Sequence, residues 1–479
     1  MVLKFERIVM RLAQIFAADN RGFYLLIMGM SLCSSGIVWF NYGQVFDISS
    51  LQQLWTIKTA PETWFHYLLR PFALGGEAWV VFAIAVFTAI IMVQFAKIST
   101  MIGIGHKALF TLFLFLNFLP EFNHVRFAVT PFWLGLSAWL SAIGCFLFYY
   151  PARFYRGFCL WAGFSWLAGF CDPIFFFWAL GFPLCFLFWA GKNHRWWELL
   201  WERGRFLLVY YALIAIVIAL VPAWSSSFIN SAILLFNRIQ KTAIVISSLF
   251  NRDNSAVVSF ILVMAFIALD VIKTAGVLVL ILIWISHDRG ISSILSPQIK
   301  RFFGLLLFFA WLTHTACVFY RGALLSSLYY LLILLPILWL CAGGASYLVH
   351  RLLSGKMPPQ RAVVMWWLLV ALAIASMVQF GPSADYQRLA GNYLAQLAPE
   401  RVLSNSKTAL YYARTAPDDQ HFKTLSEFLT AAHHYPPETY YIFRHHRNDP
   451  VPAVLSQQTI IAEFANRHGD KAYILKVTK

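Results

Sequence analysis

Acidic side chains are scarce through the first 380 residues, where only twelve occur, so each is chemically conspicuous. A carboxylate near a bilayer has to be solvated, paired or put to use. Six of the twelve, Asp47, Glu62, Glu77, Glu121, Asp172 and Asp253, lie outside or at the ends of the apolar runs, on the face that the charge pattern below assigns to the outside. Asp47 stands in VFDISSLQQLW, a few residues after the first apolar run. It either caps a helix starting near Ser49 or does chemistry at the membrane surface. Arg126, in NHVRFAVTPFWL, and Arg321, in CVFYRGALLSS, share that face. For Arg321, without an acidic neighbour in sequence, the position is costly unless a lipid or substrate phosphate meets it. Arg126 has the same use open to it, or snorkels to the interface. Asp270 and Lys273, three apart inside an apolar run, either neutralise one another along a helix or relay protons. Asp172 precedes Pro173, which is a turn signal in its own right.

The elements that must hold these residues are lipid-embedded helices. Hydrophobic residues make up 60% of the chain and charged ones 12%, where a soluble domain carries roughly 25% charged. Apolar runs at about 22–42, 78–96, 102–120, 128–150, 157–171, 174–191, 206–224, 255–286, 302–320, 323–349 and 362–380 read as eleven spans. With the N-terminus inside, the inner segments hold 18 Lys and Arg and the outer ones 7. That bias favours this orientation and puts the C-terminal end outside. The formal charge of +16 is therefore mostly a topology signal, and it leaves no patch for nucleic acid. Residues 1–21 read as an amphipathic helix on the inner surface, and part of 225–254 as one on the outer surface. The seven cysteines all fall in or beside spans, without metal-ligand spacing.

From Gly381 to Lys479 the chain is water-soluble in character, with 11 basic and 9 acidic residues. A helix, a Pro break, a strand over RVLSN and a second helix opening at Ser404 to Ser406 form one β-α unit. TYYIFRHH alternates like a strand. IIAEFANRHGDKAYILKVTK reads as a helix, a His-Gly-Asp turn and a final strand, completing a small α/β layer of three or four strands. The tail's six histidines lack metal spacing and read as solvated. The fold class expected is thus a polytopic α-helical membrane protein over 22–380, with a first outer loop at 43–77 and a small extracytoplasmic α/β domain over 381–479.

Fourteen residues after Asp47 comes Pro61, in TAPETWFHYLLRPF, a Pro-broken aromatic segment returning to the membrane. An acid opening the first outer loop, an interfacial helix and a Pro-containing segment before the second span resemble the C-type glycosyltransferases, the GT-C fold. These polytopic enzymes take sugars from polyprenyl phosphates, and bacterial mannosyl- and aminoarabinose-transferases are among those that the chain resembles. Asp47 matches the acid of that pattern and Pro61 the proline. Residues 123–140 look like the family's second outer turn, where Arg126 matches an Arg before the fourth span. Pro131 stands where an acid commonly follows, and Glu121 is the nearby substitute. Around Arg321 the chain is similar to a family segment with Arg and Tyr before a Pro-containing span, in the reversed order Tyr320-Arg321. In the tail, Ser404, Asn405, Tyr411, Tyr412 and FANRHGDKAYIL are similar to the outer domain of many bacterial relatives.

The resemblance implies a glycosyltransferase of the bacterial inner membrane, multi-pass, with its site at the outer face. Its donor would be a polyprenyl-phosphate sugar, and its acceptor a lipid, glycan or protein. Asp47 would be the general base or a ligand to a divalent cation, with Glu121 as the second catalytic carboxylate. Arg126 and Arg321 would clamp the donor phosphate. Membrane lipids are the other expected partners. Two alternatives stay open: a transporter or flippase for a lipid-linked glycan, and a non-catalytic scaffold of envelope assembly.

Overall fold

A computed structural model describes residues 20–42, 68–69, 71–72, 77–117, 126–128, 130–149, 153–188, 196–220, 237, 255–288, 295–321, 325, 327–353, 385–397, 399, 401–413, 424–431, 436, 439–450, 452, 455, 459–466 and 469–476. The helices of its first part are α1 (Asn20–Tyr42), α2 (Glu77–Met101), α3 (His106–Asn117), α4 (Phe132–Tyr149), α5 (Phe154–Cys171), α6 (Ile174–Phe188), α7 (Trp196–Leu220), α8 (Ser255–Asp288) and α9 (Pro297–Arg321). A 3-10 turn (Ser327–Tyr330), α10 (Leu331–Leu340) and α11 (Ala342–Leu353) follow. The C-terminal part holds α12 (Asp385–Leu397), β1 (Arg401–Ser404), α13 (Lys407–Tyr412), α14 (Leu425–Ala431), β2 (Thr439–His445), β3 (Ile460–Ala465) and β4 (Lys471–Lys476).

Among the described residues, four helical stretches are long and apolar enough to cross a bilayer: Arg21–Trp39, Ala78–Met101, Phe132–Tyr149 and Pro297–Phe319. The 25 residues of α2 span roughly 37 Å at 1.5 Å per residue, more than a hydrocarbon core of about 30 Å. The chain is a helical membrane protein with a small C-terminal sheet. The apolar run expected at 362–380, the amphipathic helix expected over 1–21 (bar its last two residues) and most of loop 225–254 lie outside the described residues. The run expected as one helix over 323–349 is instead a 3-10 turn, α10 and α11, with Pro336 inside α10 and a turn at Cys341. A Pro removes a helical N–H and crowds the preceding turn, so helix geometry changes around it.

Two compact units emerge, one drawn from 1–31, 87–125 and 131–370, the other from 32–86, 126–130 and 371–479. In the first, α2 ends in a Schellman motif: Ile104 N–H reaches Ser99 C=O at 3.0 Å and Gly103 N–H reaches Thr100 C=O at 3.1 Å. Gly103 sits at φ 90°, which only glycine adopts at little cost. The helical run expected over 102–120 therefore starts at His106, and its described part is the 12-residue α3. The core is aromatic: Trp178 meets Trp139 at 5.1 Å and Phe309 at 5.2 Å, both edge-on. Asp172 turns α5 into α6, accepting the Ile174 N–H on Oδ1 at 3.0 Å, as its Asp-Pro pair predicts.

In the second unit the sheet runs β1-β2-β4-β3, with β1 parallel to β2 and the other pairings antiparallel. Alternation buries both faces. Val402, Tyr440, Ile442 and Ile474 pack with Tyr386, Ala390 and Leu394 of α12, while Leu403, Tyr441, Phe443 and Leu475 pack with Phe428 of α14. Ser406 caps α13, accepting the Ala409 N–H at 3.3 Å, as expected of the serines there. The helix expected over 460–465 is a strand. Asn466 and Asp470 close a hairpin by exchanging backbone and side-chain bonds of 2.8 to 3.0 Å, and the β-branched Ile460-Ile461 start its edge strand. The solvated reading of the tail histidines also fails at His445, which is buried with Nε2 3.1 Å from the Asp449 carbonyl. Its neighbours Phe443 and Tyr473 enclose the ring.

Candidate functional site

Arg126 lies in the short turn ahead of α4 and is wholly buried. Its guanidinium donates to Ser34 Oγ at 2.8 Å and Ser35 Oγ at 3.4 Å, both on α1. The three residues belong to the second unit, so the arginine is tied to the helix whose continuation in sequence leads to Asp47, five residues after Tyr42. Burial lowers its pKa from 12.5 to about 9, which leaves it cationic at neutral pH. Snorkelling into water is thereby replaced by a buried cation fixed by two hydroxyls. A guanidinium held in this way is a fixed positive charge beside α1.

Asp47 and Glu121 lie outside the described residues. Arg321 is the last residue of α9, and its side chain is likewise outside them. The candidate set is therefore represented in the described structure by Arg126. Pro131, where the family pattern has an acid, immediately precedes α4, and its carbonyl accepts the Leu134 and Gly135 N–H groups at 3.1 Å. That use of proline at a helix start suits its missing N–H. Among the described residues no group of three or more His, Cys, Asp or Glu could hold a metal ion. The described cysteines are free thiols.

A second polar constellation, within the first unit, was not anticipated. Tyr329 donates its hydroxyl to Asp172 Oδ2 at 2.8 Å, and its neighbour Tyr330 donates to Asp270 Oδ2 at 2.9 Å. Between these two pairs stands His314 of α9, fully buried, with Nδ1 2.8 Å from the Ala310 carbonyl and Nε2 2.8 Å from the Tyr329 carbonyl. A neutral imidazole has one N–H and donates to one of those carbonyls; donating to both takes the imidazolium. The Tyr330 ring stacks on the imidazole at 5.6 Å and 19°. Five side chains from the α5–α6 turn, α8, α9 and the 3-10 turn are thus linked through the Tyr329-Tyr330 dipeptide. Asp270 takes its bond from Tyr330 rather than from Lys273, which is exposed, so the intrahelical ion pair weighed from the sequence gives way to a contact between elements.

One signal in the sequence could have pointed here: Thr313-His314-Thr315 interrupts an otherwise apolar span. An ionisable residue inside a span is by default a functional candidate. The Ser34-Ser35 partnership with Arg126 left no comparable trace, since it joins positions 91 and 92 residues apart.

Compared with known proteins, the chain matches no family model, and no curated protein sequence is significantly similar to it.

Proposed function

We propose that the chain is an integral membrane glycosyltransferase of GT-C type, acting at the outer face of a bacterial inner membrane. The observation that carries the reading is the tie between Arg126 and α1, which holds a buried cation on the helix that leads into the loop of Asp47. In the proposed reaction Asp47 takes the acceptor hydroxyl proton and the acceptor oxygen bonds to the sugar's anomeric carbon. The bond from that carbon to the phosphate oxygen breaks, and polyprenyl phosphate leaves with the electron pair. Arg126 and Arg321 balance the phosphate charge, and Glu121 supplies a second carboxylate at the same face. A divalent cation would be carried by Asp47 and Glu121.

The test is transfer of a labelled sugar from a polyprenyl-phosphate donor by the purified protein and by Asp47→Asn. The variant should express normally, bind donor and transfer nothing. Full transfer by Asp47→Asn removes the site assignment. A lipid-linked glycan carrier is the second reading, favoured by the half-buried Asp270 and the buried Tyr330 and His314 inside the helical part.

A further inference from the structure

A separate site lies where α5 and α7 meet. Tyr155, Trp201, Arg205, Phe206 and Val209 line a cavity of about 360 Å³ that opens to the surface. Aromatic contacts fix its walls: Tyr155 meets Phe206 at 5.2 Å, and Phe158 meets Phe206 at 4.8 Å and Tyr210 at 5.5 Å. The Arg205 guanidinium lies over the Trp201 ring at 4.4 Å, a contact that orients the cation and occupies none of its N–H donors. Among the described residues Arg205 has no hydrogen-bond or ion-pair partner, and its side chain is exposed. Beside it, Arg156 lies over Tyr149 at 4.8 Å and Arg203 over Phe154 at 4.9 Å.

Below Arg205 on the same face of α7, Leu208, Val209, Leu213 and Ile216 are 53% to 70% exposed. Their spacing makes one apolar stripe along the helix. The flanking segments 151–156 and 192–205 together hold six Lys and Arg against Glu198 and Glu202. A cation at the head of an apolar stripe, framed by Trp and Tyr, matches a phosphate joined to acyl chains at the level of lipid headgroups.

We propose that this cavity binds one anionic phospholipid, with its phosphate on Arg205 over Trp201 and an acyl chain along Leu208, Val209, Leu213 and Ile216. The proposal is independent of the glycosyltransfer reading and involves none of its residues.

The test uses the intact protein in phosphatidylcholine nanodiscs titrated with phosphatidylglycerol, with bound lipid counted by native mass spectrometry. Wild type should retain one phosphatidylglycerol, and Arg205→Gln should bind it about fivefold more weakly, the factor expected for one interfacial arginine. Millimolar inorganic phosphate should not displace the lipid. In parallel, a photoactivatable phosphatidylglycerol should label the 201–213 peptide of wild type, a readout that needs no variant to fold. Equal affinity in Arg205→Gln, full competition by inorganic phosphate, equal retention of phosphatidylcholine, or labelling elsewhere alone each overturns the proposal.

Discussion

Replacing Tyr329 by Phe removes one oxygen from a buried hydrogen bond and leaves the ring in place. The Asp172 carboxylate is only 4% exposed, and its Oδ2 accepts from Tyr329 at 2.8 Å while Oδ1 serves the Ile174 N–H. A hydrogen bond to a charged group contributes about 1.5 to 3 kcal/mol net in soluble proteins. Couplings inside membrane proteins average about 0.6 kcal/mol and reach about 1.7. Short length, burial and a carboxylate acceptor place this pair near the upper membrane value, so a coupling of about 1.5 kcal/mol is expected. Asp172→Ala completes the cycle by removing both carboxylate oxygens, and the loss of the Ile174 bond, common to that single variant and the double variant, cancels in the coupling. The assay is reversible unfolding of wild type, both single variants and the double variant in mixed micelles of increasing sodium dodecyl sulfate. Each single variant should be destabilised, and the double variant by less than their sum. Additivity within about 0.3 to 0.5 kcal/mol refutes the reasoning, since uncoupled sites add to that tolerance.

Two further outcomes follow from named contacts. At Gly391 a Cβ would lie 2.5 Å from the Ala409 carbonyl oxygen and 2.6 Å from Tyr412 Cβ. Overpacking there costs about 1 to 3 kcal/mol against about 1 kcal/mol gained in helix propensity, so Gly391→Ala should speed deuterium uptake by the β2 and β4 amides of the intact protein; slower uptake would reverse that balance. Burial lowers Arg126 to about 9, so its cation is complete below that pH and is lost as pH rises through it. If the proposed transfer is right, donor capture, read as kcat/KM, should fall along an alkaline limb near pH 9 that Arg126→Met lacks; an identical limb in the variant would assign it elsewhere.

The membrane character, the Asp172 turn and most of the tail were legible because local chemistry decides them. Hydropathy needs only composition, Asp-Pro makes its own turn, and Ser406 caps the helix that begins at the next residue. The first strand of the tail's hairpin was misread at 460–465. IIAEFA carries both helix-forming and β-branched residues, and its pairing with β4, not its own propensity, made it a strand. Asp270 shows the same limit at the candidate sites. Lys273 was near in sequence, but Tyr330, 60 residues away, is the partner that the packing of α8 against the 3-10 turn supplies. Arg126 was visible as a cation between two apolar runs, yet its burial against Ser34 and Ser35 depends on a contact that no local pattern encodes.

The most direct measurement follows a labelled sugar on its polyprenyl phosphate in proteoliposomes containing the purified chain and an acceptor-rich membrane extract. Transfer requires the label to leave the carrier and appear in a new product, with one polyprenyl phosphate released per sugar moved, and Asp47→Asn abolishes both. Label that crosses the bilayer still attached to its carrier, or stays there unchanged, contradicts the transferase account.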